Sequence, residues 1–317
     1  MSPSEPLKLK FYHLDVFTTT AYKGNPLAIV HLPPGCDLDQ DKKQSIARDF
    51  NLSETVFLHE NERIDENPTK IDIFTPTVEL PFAGHPTLGT GWHLLNSRHA
   101  SSAVTLLAKA GPIPVAVVAA GGDGPAGRVK LGVPVNFKIH PSYVHPTLKK
   151  GQTDLTTHDY AQGSDGQEPI ASIVKGMTFL LLQLTSTDAL ARMIPLAQTM
   201  VVPGLGDWAP FVLLYAFVII KEEEGAGGDD VNGVFHIQTR MFTGDFEDPA
   251  TGSAASTLAG WLALKKGRGK WAVKIVQGVE IGRRSEIEVL VTIGDGDIKM
   301  IELIGSVVQV MEGNLLA

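Results

Sequence analysis

Cysteine is almost absent from this chain: Cys36 is the only one in 317 residues. A disulfide within one chain is excluded, and so is any zinc site built from several thiolates. Such usage suits a reducing compartment. Long apolar runs are missing too. The longest, Phe211 to Ile220, falls well short of the roughly 20 residues that span a bilayer. The start, Met1 to Lys10, lacks the apolar stretch of a secretory signal. Basic charge is scarce, with 27 Lys and Arg against 35 Asp and Glu and a net charge of −8. With no basic tract, general nucleic-acid binding is disfavoured, because it relies on cations neutralising phosphates. Cofactor motifs are absent as well: no Walker loop, dinucleotide fingerprint, HExxH or paired CxxC occurs, and Gly204-Leu205-Gly206 is too short to count. The expectation is a cytoplasmic protein with no metal, flavin, pyridoxal phosphate or nicotinamide, and with neither nucleic acid nor membrane as a partner.

What is present is an ordinary globular composition, 43% hydrophobic and 20% charged. That is enough for one large core or two smaller ones. The chain also repeats itself. Phe74-Thr75-Pro76-Thr77-Val78-Glu79-Leu80-Pro81-Phe82-Ala83-Gly84-His85 and Phe242-Thr243-Gly244-Asp245-Phe246-Glu247-Asp248-Pro249-Ala250-Thr251-Gly252-Ser253 share Phe, Thr, Glu, Pro and Gly at identical spacings. Each copy follows a β-like segment, crosses a Gly/Pro turn and opens a helix of small and apolar residues. Each sets a chemically capable side chain, His85 or Ser253, directly after the glycine. A two-fold repeated domain with working groups at two helix starts is the simplest explanation.

Alternation and punctuation predict strands at Leu9 to Phe17, Leu27 to Leu32, Thr55 to Leu58, Ile71 to Phe74, Thr178 to Leu184, Phe211 to Ile220 and Phe235 to Phe242, with others near 104–107, 114–119, 128–133, 274–277, 286–293 and 306–311. Helices are predicted over Asp41 to Phe50, Pro86 to Leu95, Ser186 or Thr187 to Met200, and Pro249 to Lys265. Gly121 to Gly124 reads as a turn, and Glu222 to Asn232 as an acidic, Gly-rich turn. Between His140 and Pro169 the apolar rhythm fades, which predicts a polar linker or insertion. Strand mostly follows strand, so the class is α+β rather than a doubly wound parallel sheet.

Several residues could carry chemistry, and each also has a plain structural reading. Glu54, in Asn51-Leu52-Ser53-Glu54-Thr55, is either a surface carboxylate at a strand start or a general base partly shielded from water. His85, between Gly84 and Pro86, either satisfies helix amides or is a neutral imidazole able to accept or donate a proton. Asp248 before Pro249 is an ordinary capping signal. Gly252 and Ser253 lie one turn further in, where glycine is costly unless a ligand or backbone comes close. An N–H cluster there would suit a carboxylate or phosphate. His93, on the same helix as His85, reads as a helix-surface residue.

Together these residues resemble the PhzF family, the phenazine-biosynthesis-like isomerases of the diaminopimelate epimerase fold. The matching stretches are Asp15-Val16-Phe17 with Gly24-Asn25-Pro26, Asn51 to Thr55, Phe74-Thr75-Pro76 with Gly84-His85-Pro86-Thr87, and Glu247 to Ala254. Gln277-Gly278 with Gly282-Arg283 and the closing Gly305 to Gly313 segment match less strongly. The resemblance implies two pseudo-symmetric lobes, each a central helix wrapped by a curved, mostly antiparallel sheet, with the active site in the cleft between them. The lobes would be 1–135, completed by a strand near 300–317, and 136–299, with the polar stretch at 140–170. It implies Glu54 as the acid/base that moves a proton between carbons. His85, Asp248 and Ser253 would be supporting polar groups, and Gly84, Gly252 and Asn25 would lie near the substrate. Gln277 to Arg283 is read as structural, because Arg284 stands where the family often has proline. Diaminopimelate epimerases use two opposed cysteines. Here His85 and Ser253 stand in those places, so a two-thiol racemase is excluded by residue type.

The expectation is a cofactor-independent, homodimeric biosynthetic isomerase acting on a small cyclic or amino-acid-like carboxylate. A non-catalytic binding or scaffold protein that retains the fold is the alternative. A phenazine precursor is one candidate substrate, and the ring specificity stays open.

Overall fold

The computed structural model describes residues 7–36, 38–63, 68–97, 102–118, 127–209, 212–225 and 230–317. The chain divides into two compact units, 1–132 with 304–317, and 133–303.

The first unit runs β1 (Lys8–Val16), β2 (Asn25–Leu32), α1 (Gln40–Phe50), β3 (Thr55–His59), β4 (Thr69–Phe74), β5 (Glu79–Leu80), α2 (Gly84–Ser97), β6 (Ala103–Ala108), β7 (Gly111–Val117) and β8 (Arg128–Gly132). Its pairings alternate in sense. β1/β2 is antiparallel, β2/β3 parallel, β3/β4 and β4/β5 antiparallel, β4/β6 parallel, and β6/β7 and β7/β8 antiparallel. α1 begins at Asp39, whose carboxylate accepts from the Lys42 amide at 2.7 Å, and stops at Asn51 in the left-handed region (φ 50°). It covers one face of the sheet with Ile46 and Ala47, against Leu9, Val30, Phe57 and Phe74.

α2 packs against β1, β2, β3, β6, β7 and β8. A helix surrounded in this way is buried on every side. Its glycines serve that closeness: a Cβ at Gly91 would stand 2.5 Å from Val115. Pro86 sits in the first turn, where its missing N–H leaves no bond unmade. His93 is therefore not a surface residue. It is 4% exposed, with its Nε2 3.0 Å from Nε2 of His31. The surface reading of His93 failed because sheet packs around this helix.

The second unit runs β9 (Lys138–Tyr143), α3 (Leu148–Gly151), β10 (Glu168–Val174), β11 (Met177–Gln183), α4 (Thr187–Arg192), β12 (Leu213–Glu224), β13 (Gly233–Thr243), β14 (Phe246–Asp248), α5 (Gly252–Lys266), β15 (Gly269–Gln277), β16 (Ser285–Gly294) and the start of β17 (Asp297–Leu316), whose residues from Ile304 on belong to the first unit. β10/β11 is antiparallel, β11/β12 parallel, β12/β13 and β13/β14 antiparallel, β13/β15 parallel and β15/β16 antiparallel. That order of senses repeats the first six pairings of the first unit. The flanking strand repeats as well: β9 pairs antiparallel with β10, as the end of β17 does with β1. The sequence repeat falls at the same register in both. Phe74 faces Glu79, and Phe242 faces Glu247. α5, buried from Gly252 to Ala263, is the counterpart of α2. The fold is thus α+β with two similar lobes, each a central helix wrapped by a mostly antiparallel sheet.

Local differences from the sequence reading have local causes. The helix expected to reach Met200 ends at Arg192, and Met193 is already extended (ψ 142°), because Pro195 disfavours helix in the residues before it. β12 runs on to Glu224, through residues expected to be an acidic turn, since Glu222 and Glu223 face Phe235 and Val234 of β13 and pair with Lys266 and Lys221. Its start is Leu213, and Phe211 lies outside the described residues. So does the Gly121 to Gly124 turn. The stretch 140–170, expected to be a linker or insertion, holds the end of β9, α3, a short 3₁₀ turn at Thr157–Asp159 and the start of β10. Leu148 and Tyr160 are buried with Leu180, Leu190 and Val218 in one apolar cluster. Lys149, paired with Glu168 at 2.7 Å, donates to the carbonyls of Gly163 and Gly166. Among the described residues no helix is long and apolar enough to cross a membrane.

Candidate active site

In the first unit the candidate residues gather where three elements begin. Asn51 turns the chain out of α1, and Ser53 and Glu54 follow directly before β3. Asn25 opens β2, and Gly84 and His85 open α2. Nδ1 of His85 lies 3.6 Å from Oε2 of Glu54, whose side chain is 17% exposed. That is too long for a direct hydrogen bond. Asn25 is completely buried, with its amide 3.4 Å from His85 Nδ1 on one side and its Oδ1 accepting from Ser53 Oγ at 3.2 Å on the other. Burial pushes His85 down to about 3, opposed by a hydrogen bond to the Pro26 carbonyl. At neutral pH the ring is uncharged. It can take part in hydrogen bonding or proton transfer, but it places no cation beside Glu54.

In the second unit the arrangement is a braced turn. β14 ends at Asp248, buried, and the Thr251 hydroxyl donates to its Oδ2. Gly252 and Ser253 form the first turn of α5, and both are buried. Gln277, at the end of β15 and fully buried, ties this turn to the sheet. Its Nε2 donates to the Asp248 carbonyl at 2.8 Å and to Thr251 Oγ1 at 3.1 Å. Its Oε1 accepts from the Thr251 amide at 3.3 Å, Tyr215 at 3.2 Å and Thr239 at 3.4 Å. Burial pushes the Tyr215 phenol above its ordinary range, so it stays a donor. Gly278 follows at φ +73°, and a Cβ there would stand 2.7 Å from the Pro249 carbonyl oxygen. Gln277-Gly278 is structural, as the sequence reading had it. What that reading missed is that the structure it supports is the Asp248–Ser253 turn itself. The only signal available was a Gln-Gly pair closing a strand.

Glu54, His85, Asn25 and Gly84 thus come together in one unit, and Asp248, Gly252 and Ser253 in the other. The chain matches the phenazine biosynthesis-like protein family over residues 14–313. It belongs to that family. Among curated relatives, an uncharacterized isomerase of Mesorhizobium japonicum is 32% identical, covering 95% of this chain and 96% of that one. A trans-2,3-dihydro-3-hydroxyanthranilate isomerase of Pseudomonas aeruginosa is 30% identical, covering 88% of each. A crystal structure of a PhzF-family protein from Bacillus anthracis superimposes with a TM-score of 0.74 at 20% identity, covering 98% of this chain and all of that one. That last likeness shows the fold alone. The family match and the named relatives support isomerase or epimerase chemistry.

Proposed function

We propose that this PhzF-family protein is a cofactor-independent isomerase that moves a proton between two carbons of a small carboxylate, cyclic or amino-acid-like. The observation that carries the reading is a partly shielded carboxylate, Glu54, 3.6 Å from an uncharged, buried imidazole at the start of a central helix. Glu54 takes a proton from an acidified C–H. The electron pair left behind delocalises toward the substrate's unsaturated or carboxyl group, and Glu54 returns the proton to a second carbon. His85 orients the substrate, and the amides at the start of α2 near Gly84 favour its carboxylate. Backbone N–H groups at helix starts favour anions. The isomerase names of the relatives support the reaction class.

The test is proton exchange. The protein is incubated in D₂O with a panel of small cyclic and amino-acid carboxylates that includes trans-2,3-dihydro-3-hydroxyanthranilate. Turnover should put deuterium on carbon, and Glu54→Gln should cut the rate by about 10²–10⁴-fold, the usual share of general acid–base catalysis. A ligand that binds tightly yet exchanges no C–H would favour a binding protein. A Gln variant with near-full turnover would remove Glu54 from the mechanism.

A further inference from the structure

Glutamate recurs at one place in the two copies of the repeat, as Glu79 and Glu247. Each stands opposite the repeated phenylalanine, and each is gripped by donors from outside its hairpin turn. Both oxygens of Glu247 accept from Arg240, at 2.9 and 2.6 Å. Arg240 Nη1 in turn donates to the carbonyls of Leu190, Ala191 and Met193 at the end of α4. In the first unit Oε2 of Glu79 accepts from Gln40, the first residue of α1, at 2.6 Å, and from Lys109 between β6 and β7. The Glu79 side chain is 6% exposed. Ala110, next to Lys109, donates its amide to the Pro81 carbonyl at 3.0 Å. Gln44, one turn further along α1, donates to the Thr75 carbonyl at 2.8 Å. The few residues that lead into α2 are thus held from two sides.

The grip matters because the hairpin by itself is weak. Thr55, Phe74 and Glu79 stand side by side across β3, β4 and β5. Glu54 directly precedes Thr55, so the β3/β4 ladder, paired from Thr55 to Leu58, fixes it. His85 has no such support. It follows β5, a strand of only two residues, Glu79 and Leu80, shorter than strands that hold by backbone pairing. We infer that Glu79 is a positioning residue: by pinning β5 to α1 and to the β6–β7 turn, it sets His85 at its 3.6 Å from Glu54. Without that grip the end of the hairpin opens locally, and the first turn of α2 shifts against a Glu54 that stays in place. Little global stability is involved, because Gln40 and Lys109 are exposed and regain water. Glu79 holds this geometry with or without a substrate; its effect on turnover rests on the isomerase reading.

The test is Glu79→Ala, read first without substrate by NMR. The Ala110 amide, which bonds Pro81, should exchange with solvent about tenfold faster or more, while the amides of β2 keep the parent's rates. The His85 ring resonances, assigned by their loss in His85→Gln, should move, while those of His140 in the other unit stay. The urea midpoint should remain close to the parent's. Glu79→Gln keeps an acceptor for both donors and should restore the Ala110 protection and the His85 resonances. With trans-2,3-dihydro-3-hydroxyanthranilate or another carboxylate that the parent turns over, kcat/KM for proton exchange should fall about 10²-fold in Glu79→Ala, the cost of a misplacement near 1 Å, and recover in Glu79→Gln. Ala110 exchange and His85 resonances that match the parent's in Glu79→Ala overturn the inference. Turnover lost while the His85 resonances stay in place overturns it too. Should Glu79→Ala fail to fold, Gln40→Ala combined with Lys109→Met strips the donors at exposed positions and decides by the same readouts. A parent that exchanges no C–H refutes only the isomerase reading, because the amide and ring readouts use no substrate.

Discussion

Mild acid is the perturbation to which the first unit should be most sensitive, because two of its histidines are buried without charge. His85 and His93 are each 4% exposed, and both are held at about 3 against an ordinary 6.5, chiefly by burial. His31 and Lys10 push His93 further in the same direction. The unfolded chain binds protons at these sites below 6.5, whereas the folded chain refuses them until about 3. Stability therefore rises with pH across that window and is lost as pH falls through it. Each pH unit below 6.5 costs about 1.4 kcal/mol per histidine. At pH 5 the loss is about 2 kcal/mol for each and about 4 kcal/mol for both. His31, also lowered by burial, adds in the same sense. Asp72 works outside this window. Burial raises its folded value, but hydrogen bonds and charge from His59 and Lys43 together outweigh that and hold it well below the usual carboxylate range, so its contribution is lost only as pH falls below an ordinary 3.8. The assay is urea unfolding followed by fluorescence at pH 7 and pH 5. His85→Gln and His93→Gln should each remove about 2 kcal/mol of the difference between pH 7 and pH 5. If the parent is equally stable at both pH values, or if both variants keep its full slope, the reasoning fails.

Other perturbations have equally definite outcomes. Gln277→Leu keeps the bulk but strands the Thr251 amide and the Tyr215 hydroxyl, so unfolding free energy should fall by about 2–4 kcal/mol; a loss under half a kcal/mol would show that the turn before α5 is held by something else. Asp72→Asn leaves the buried ammonium of Lys43, now 2.7 Å from the Asp72 carboxylate, without a counter-charge and should cost about 3–5 kcal/mol at pH 7, read as a shift in the denaturation midpoint. Family membership and the frequency of two-fold oligomers point to a homodimer; light scattering at micromolar concentration should give twice the chain mass, and a monomer mass would overturn it.

Much of the architecture was legible in the residues because it is written in short-range patterns. The Phe-to-Glu spacing is the same in both copies of the repeat since both close the same antiparallel pair, Phe74 with Glu79 and Phe242 with Glu247. A residue pair five apart in a hairpin depends on local geometry alone, so it survives as a sequence signal. The two central helices were legible for the same reason, from turn chemistry and a run of small residues. Their starts were read at Pro86 and Pro249, whereas they begin at Gly84 and Gly252, so Gly252 opens its helix rather than lying a turn inside it. The overlong helix after Ser186 came from following the apolar rhythm past Pro195, a local signal that was present and outweighed.

Other properties depend on groups that meet only when the chain folds. Gln277 gains its role from Tyr215, Thr239, Asp248 and Thr251, all of which stand on other strands or in the turn before α5. His93 looked like a surface residue because sequence periodicity cannot show that sheet closes around a helix on every side. The charge state of His85 is likewise tertiary. Its composition allows either form, and only desolvation by β2, α2 and the segment before β3 makes it neutral. The sequence by itself determined the residue types, the repeat, the class and the family. The tertiary structure decided burial, and burial decides protonation, because removing water costs a charge far more than it costs an apolar group.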